Sequence, residues 1–178
     1  MKTTHTTRAK TFANSALIAA AFAAAFSAVV ASGAASAQGL VTQRGLSVNA
    51  AIELAQAALE RCRADGYKVT ITVLNHHATT SVVLSDDGVN PHTVENSLRK
   101  AYTAFTTRTP TVEMAKRAQP GLSGFMLLDK ISPLDGALPI FAGKDLVGAV
   151  GISGAPGGEK DSACAKVGVD KIARYLAN

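Results

Sequence analysis

Two short polar turns set between apolar runs constrain this chain most. In residues 69–74, Val69, Ile71 and Val73 alternate with Thr70 and Thr72, the period-two pattern of a strand with one buried face. Asn75-His76-His77-Ala78 separates this run from a second one at 79–84. Ala142-Gly143-Lys144-Asp145 joins runs at 138–141 and 146–153 in the same way. Links this short can only connect antiparallel neighbours, because parallel strands need a crossover of about a dozen residues or more. A further apolar run at 125–128 reads as an edge strand. The expected sheet is antiparallel and five-stranded.

Helical spacing fills the rest. Ser47 can cap a helix in which Ala51, Ile52, Ala55, Ala58, Leu59 and Cys62 share a face, and Gly66 ends it. Thr93 can cap a second helix from residue 94 to about 106, with Val94, Leu98, Ala101, Tyr102 and Phe105 on its inner side. Pro110 suits the first turn of a short third helix. The last helix, about 159–176, carries Cys164, Val167, Gly168, Ile172 and Tyr175 along one side. The first and last helices can pack antiparallel on one face of the sheet, which would bring Cys62 and Cys164 together. In an oxidising compartment this pair forms a disulfide; the alternative is two separate buried thiols.

The first 37 residues stand outside this pattern. Lys2, Arg8 and Lys10 precede an apolar, alanine-dominated run at 13–31 that ends in Ala35-Ser36-Ala37. Charge, apolar run and small-x-small in that order read as a secretory signal peptide cut after Ala37, rather than a retained membrane anchor. Removing 37 of 178 residues leaves 141, with a flexible lead-in at 38–45 and a single domain at 46–178. The leader holds three of the 18 basic residues and none of the 13 acidic ones, so the mature charge is +2. Export and a near-neutral domain argue against a nucleic-acid partner. They place the mature protein in the periplasm or outside the cell, with no stable membrane anchor.

Four stretches taken in order carry a family resemblance. Lys100-Ala101-Tyr102-Thr103-Ala104 resembles the central helix motif of the GlcG/HbpS-type haem-binding proteins, the haem-degrading-protein-like (DUF336) family. Gly136-Ala137-Leu138-Pro139-Ile140, Val147-Gly148-Ala149-Val150-Gly151-Ile152-Ser153-Gly154-Ala155 and the stretch Asp161 to Ala165 resemble its later motifs. The similarity runs from about residue 46 to 176. It implies an α/β (α+β) domain with an antiparallel five-stranded sheet flanked by helices and, often, assembly into homo-oligomers. It also implies haem binding in some members, linked to iron handling or redox sensing, and association with glycolate or alcohol metabolism in others. Haem degradation stays open on the same ground. The chain departs from the family at Ala137, where a second glycine is usual. It departs again at Asn75-His76-His77-Ala78, where many relatives carry Asp and Gly.

Haem iron accepts an imidazole or phenolate ligand. His92, just before the second helix, is the first candidate, against an exposed loop histidine with no role. Arg99 and Lys100 on that helix could pair with haem propionates, and Tyr102 is a further cofactor-binding candidate. His76 and His77 would diverge on a strand but could share one metal in a tight turn; a solvated polar turn is the alternative. Gly148, Gly151 and Gly154 read as positions of close backbone approach, or else as a turn that holds an anionic group. Hydrolase chemistry finds no motif: Gly151-Ile152-Ser153-Gly154 is not a nucleophile elbow, and no His and carboxylate cluster has zinc-site spacing. Three readings remain. The first is an exported haem-binding protein. The second is an enzyme or accessory protein for a small organic acid or alcohol, in which another small anionic ligand replaces haem. The third is a ligand-free assembly module.

Overall fold

In a computed structural model of the chain, the described residues are 39, 41–117 and 123–177; the leader expected at 1–37 and its cleavage point lie outside them. The chain divides into units Met1–Thr42 and Gln43–Asn178, and the second carries the fold. Ser47 opens helix α1 (Val48–Ala64), accepting a hydrogen bond from the Ala50 amide at 3.3 Å as a serine N-cap should. Strands β1 (Thr70–Asn75) and β2 (Thr80–Ser85) follow, then helices α2 (His92–Thr107), α3 (Thr111–Arg117) and the single turn α4 (Ser123–Met126). Strands β3 (Ala137–Ala142) and β4 (Asp145–Ser153) lead into α5 (Gly158–Lys171) and the terminal turn α6 (Ala173–Leu176). No described helix is long and apolar enough to cross a membrane.

The sheet is antiparallel throughout, in the order β2-β1-β4-β3. It has four strands rather than five. The run at 125–128, expected as an edge strand, forms part of α4 and the turn after it. Leu127 and Leu128 are exposed, and the amide of each reaches only three residues back, Leu127 to Gly124 O and Leu128 to Phe125 O. Four apolar letters fit a strand and a helical turn equally well, so periodicity alone could not separate them.

Helices α1 and α5 cover one face of the sheet. Ile71, Val73, Ile140, Val150 and Ile152 meet Leu54, Ala55, Ala58 and Ala165 there, all fully buried. A side chain at Gly168 would strike Leu54 O, so glycine lets the two helices approach closely. Cys62 and Cys164 are joined in a disulfide with Cα atoms 5.6 Å apart. It closes a separation of 102 residues, and by chain-entropy reasoning a loop of this size contributes on the order of 4 kcal/mol.

Helix α2 covers the other face and corrects a second expectation. Its inner side is Thr93, Ser97, Lys100, Ala101, Thr103 and Ala104, all buried. Val94, expected in the core, is exposed, and Leu98, Tyr102 and Phe105 are only half-buried. Hydroxyl pairs explain the reversal. Thr70 and Thr93 share a hydrogen bond of 2.7 Å, and Thr72 and Ser97 one of 2.8 Å. Small strand residues bring the backbones together: a side chain at Gly151 would collide with Ser97 O and the Ala101 amide. The helix begins one residue earlier than its expected cap. Thr93 lies inside it, and its hydroxyl donates to Asn90 O at 2.7 Å.

Candidate functional site

Thr70 of β1 pairs with Ser153 at the end of β4, and beyond this edge the chain turns through Gly154 into α5. The first two turns of α2 run alongside. Between them lies a cleft of about 310 Å³ lined by His92, Asn96, Lys100, Asp135, Ser153 and Asp161, with Leu134 and Gly154 at its margin. His92, Asn96 and Lys100 are four residues apart, so successive turns present them along one flank of the helix.

The floor is a buried ion pair. Lys100 Nζ donates to Asp161 Oδ2 at 2.8 Å and to Ile152 O at 2.9 Å, and both side chains are 3 % exposed. Asp161 Oδ1 accepts from the Ala155 amide at 3.1 Å. Burial pushes the Asp161 carboxyl above its usual range; the Lys100 ammonium and the Ala155 amide pull the other way. The wall is a second network. Asn96 Nδ2 donates to Ser153 Oγ at 2.9 Å, Ser132 Oγ donates to Asn96 Oδ1 at 3.2 Å, and Asp135 Oδ1 accepts from Ser162 Oγ and the Gly136 amide.

His92 differs from all of these. It is exposed at the mouth, and it is the one polar side chain lining the cleft that has no hydrogen bond or ion pair among the described residues. An imidazole left uncommitted beside a satisfied polar wall can bind a metal.

The sequence candidates therefore separate. His92 and Lys100 share the cleft, but Lys100 is already paired. Arg99 is exposed outside it and bonds Glu95 at 2.7 Å. Tyr102 is half-buried farther along α2, with Lys130 Nζ 5.6 Å from its ring centre. His76 and His77 occupy the turn after Asn75, at the opposite end of β1, roughly 17 Å away at strand spacing. Sequence reasoning did not single out Asn96, Ser132, Ser153 or Asp161 as site residues. Asp161 opened a family motif, and Asn96 stands midway between two named candidates, so both left a trace.

A family model described as Haem degrading protein HbpS-like matches residues 46–170. A 15.0 kDa protein of the dhaT-dhaS intergenic region of Citrobacter freundii is 32 % identical over 113 residues, covering 61 % of this chain and 80 % of that protein. Among solved structures, a double mutant of HbpS from Streptomyces reticuli has a TM-score of 0.69 at 32 % identity, over 77 % of this chain and 93 % of that one. The haem complex of PduOC has a TM-score of 0.66 at 26 % identity, over 71 % and 94 %.

Proposed function

The chain belongs to the HbpS-like family of haem degrading proteins, and from that premise we propose that it binds haem at the α2 cleft with His92 as the iron ligand. The carrying observation is the uncommitted imidazole at the cleft mouth. The haem complex of the PduOC neighbour supports haem as the class of ligand. The residues fit the group in part. Imidazole is a common axial donor. Arg99 could exchange an exposed ion pair of small worth for a propionate. The cleft, about 310 Å³, is at the low end of the roughly 300–1,000 Å³ that drug-sized ligands occupy. It can take an edge of the macrocycle but not enclose it, which leaves the outer face to solvent or to a second copy in a homo-oligomer. The iron would supply redox and ligand-binding chemistry. The protein supplies orientation: Lys100 and Asp161 fix α2 on the sheet, and with it His92.

We place this function in an oxidising compartment, periplasmic or extracellular. The leader pattern and the disulfide both support that location. Titrating the purified protein with hemin should produce a Soret band that His92→Ala weakens or shifts. An unchanged band in that variant removes His92 as ligand, and no band in the parent protein removes the proposal.

The size and polarity of the cleft favour one second reading, a small organic acid held near His92, Asn96 and Ser153. Stabilisation by such acids, detected by thermal shift, in a protein that gives no Soret band with hemin would select it.

A further inference from the structure

The β1–β2 turn takes no part in the cleft, yet its geometry is tightly specified. The Asn75 carboxamide oxygen accepts from the His77 amide at 2.8 Å and the Thr79 amide at 3.2 Å. The Asn75 amide donates to Thr79 O at 2.9 Å, and the Ala78 amide donates to Asn75 O at 3.0 Å. Ala78 adopts φ 58°, a left-handed conformation that residues other than glycine, asparagine and aspartate usually avoid. The asparagine oxygen holds the loop in a shape its alanine disfavours.

That shape defeats the ordinary rule that neighbouring side chains in extended backbone point apart. The rings of His76 and His77 lie side by side, centroids 3.8 Å apart and planes inclined by 42°. His76 is half-buried where the chain passes at Gly45, and a side chain on Gly45 would overlap its imidazole. Among the described residues, neither ring has a side-chain hydrogen bond or an ion pair. Neutral imidazole offers one lone-pair nitrogen per ring, and two such donors side by side suit a borderline transition metal, with Cu(II) the strongest divalent binder.

We propose that His76 and His77 form a surface site for a transition-metal ion, Cu(II) foremost, separate from the haem cleft. Water completes the coordination, since the described residues contain no group of three or more His, Cys, Asp or Glu side chains able to hold a metal. Such an open site takes up an exchangeable ion rather than a structural one. The turn lies outside the four stretches that carry the family resemblance.

The test is calorimetric titration of the purified, haem-free protein with Cu(II), together with electron paramagnetic resonance of the bound ion. One equivalent should bind with nitrogen hyperfine structure. His76→Ala and His77→Ala should each weaken it by roughly tenfold or more, at least what outer-shell changes cost metal sites. His92→Ala should leave it intact. Ala78→Gly, which relieves the left-handed strain, should retain the site and shows that folding is not the variable. Equal binding in parent and His76→Ala proteins would overturn the proposal, as would loss of the signal in His92→Ala. Because the probe is copper without haem, failure here leaves the cleft reading standing, and the reverse also holds.

Discussion

The two faces of the sheet are built by different means. Under α1 and α5 the contact is apolar side chain against apolar side chain, closed by a disulfide. Under α2 it is hydroxyl against hydroxyl, glycine against helix backbone, and a lysine sealed against an aspartate. The first face holds the domain together without direction. The second fixes α2 in one register, because each buried polar group must meet its partner. The candidate site sits at the edge of the second face, where a ligand needs fixed positions.

The comparison can be broken from the strong side first. Replacing Cys62 and Cys164 together by alanine should lower stability by about 4 kcal/mol, seen as a shifted urea midpoint, while α2 stays in place. A change confined to the cleft would contradict the separation of faces. Lys100→Met leaves a buried carboxylate unpaired and should cost about 3–5 kcal/mol, whereas the double variant Lys100→Met/Asp161→Leu should recover most of it. If the double variant is no better than the single, the ion pair is more than a paired charge. Gly151→Ala pushes a methyl group into the α2 backbone and should cost about 1–3 kcal/mol, with hemin binding weakened beyond the stability loss. Ser97→Ala strands the Thr72 hydroxyl and should cost about 1 kcal/mol.

The smallest effect is with pH, and the exposed pairs of the α1 side differ in sign from Asp161, the α5 carboxyl that Lys100 of α2 meets. On the α1 side, Arg63 holds the Asp86 carboxyl below its ordinary value of 3.8, and Arg174 holds Glu53 below 4.5. A depressed carboxyl stabilises the fold above its ordinary value, and that contribution fades as pH falls through the folded-state value. Asp161 is raised, so its proton-linked contribution is full below 3.8 and is lost as pH rises through its folded-state value. Acidification from pH 6 to about 3 should therefore weaken the parent protein less after Asp86→Asn. The Asp161→Asn variant should lose more of its own stability over the same range, measured by urea unfolding at each pH.

Much of the architecture was legible in the residues. The hairpins and the Ser47 cap follow from local periodicity and short links, whereas the sequence admits both a Cys62–Cys164 disulfide and two separate thiols, and the packing of the first and last helices decides between them. His92 was visible as a candidate because imidazole is a haem-iron donor placed at the start of a helix, and Lys100 because a cation on that helix suits a propionate and stands in a family motif. Asn96, Ser153 and Asp161 were not, because a lone polar letter on a helix or at a strand end looks the same whether it faces water or a partner.

The sequence by itself determined an antiparallel sheet, the helices on it and the chemistry available at each position. Only the tertiary structure decided which side of α2 faces inward. Average hydrophobicity favours Val94 and Leu98, yet the strands opposite offer Thr70, Thr72 and Gly151. Against that surface, specific hydrogen bonds and close backbone approach outweigh apolar area. The same choice buries Lys100 on Asp161 and leaves His92 at the rim without a side-chain partner among the described residues, because a group's partners are set by what lies across from it in space.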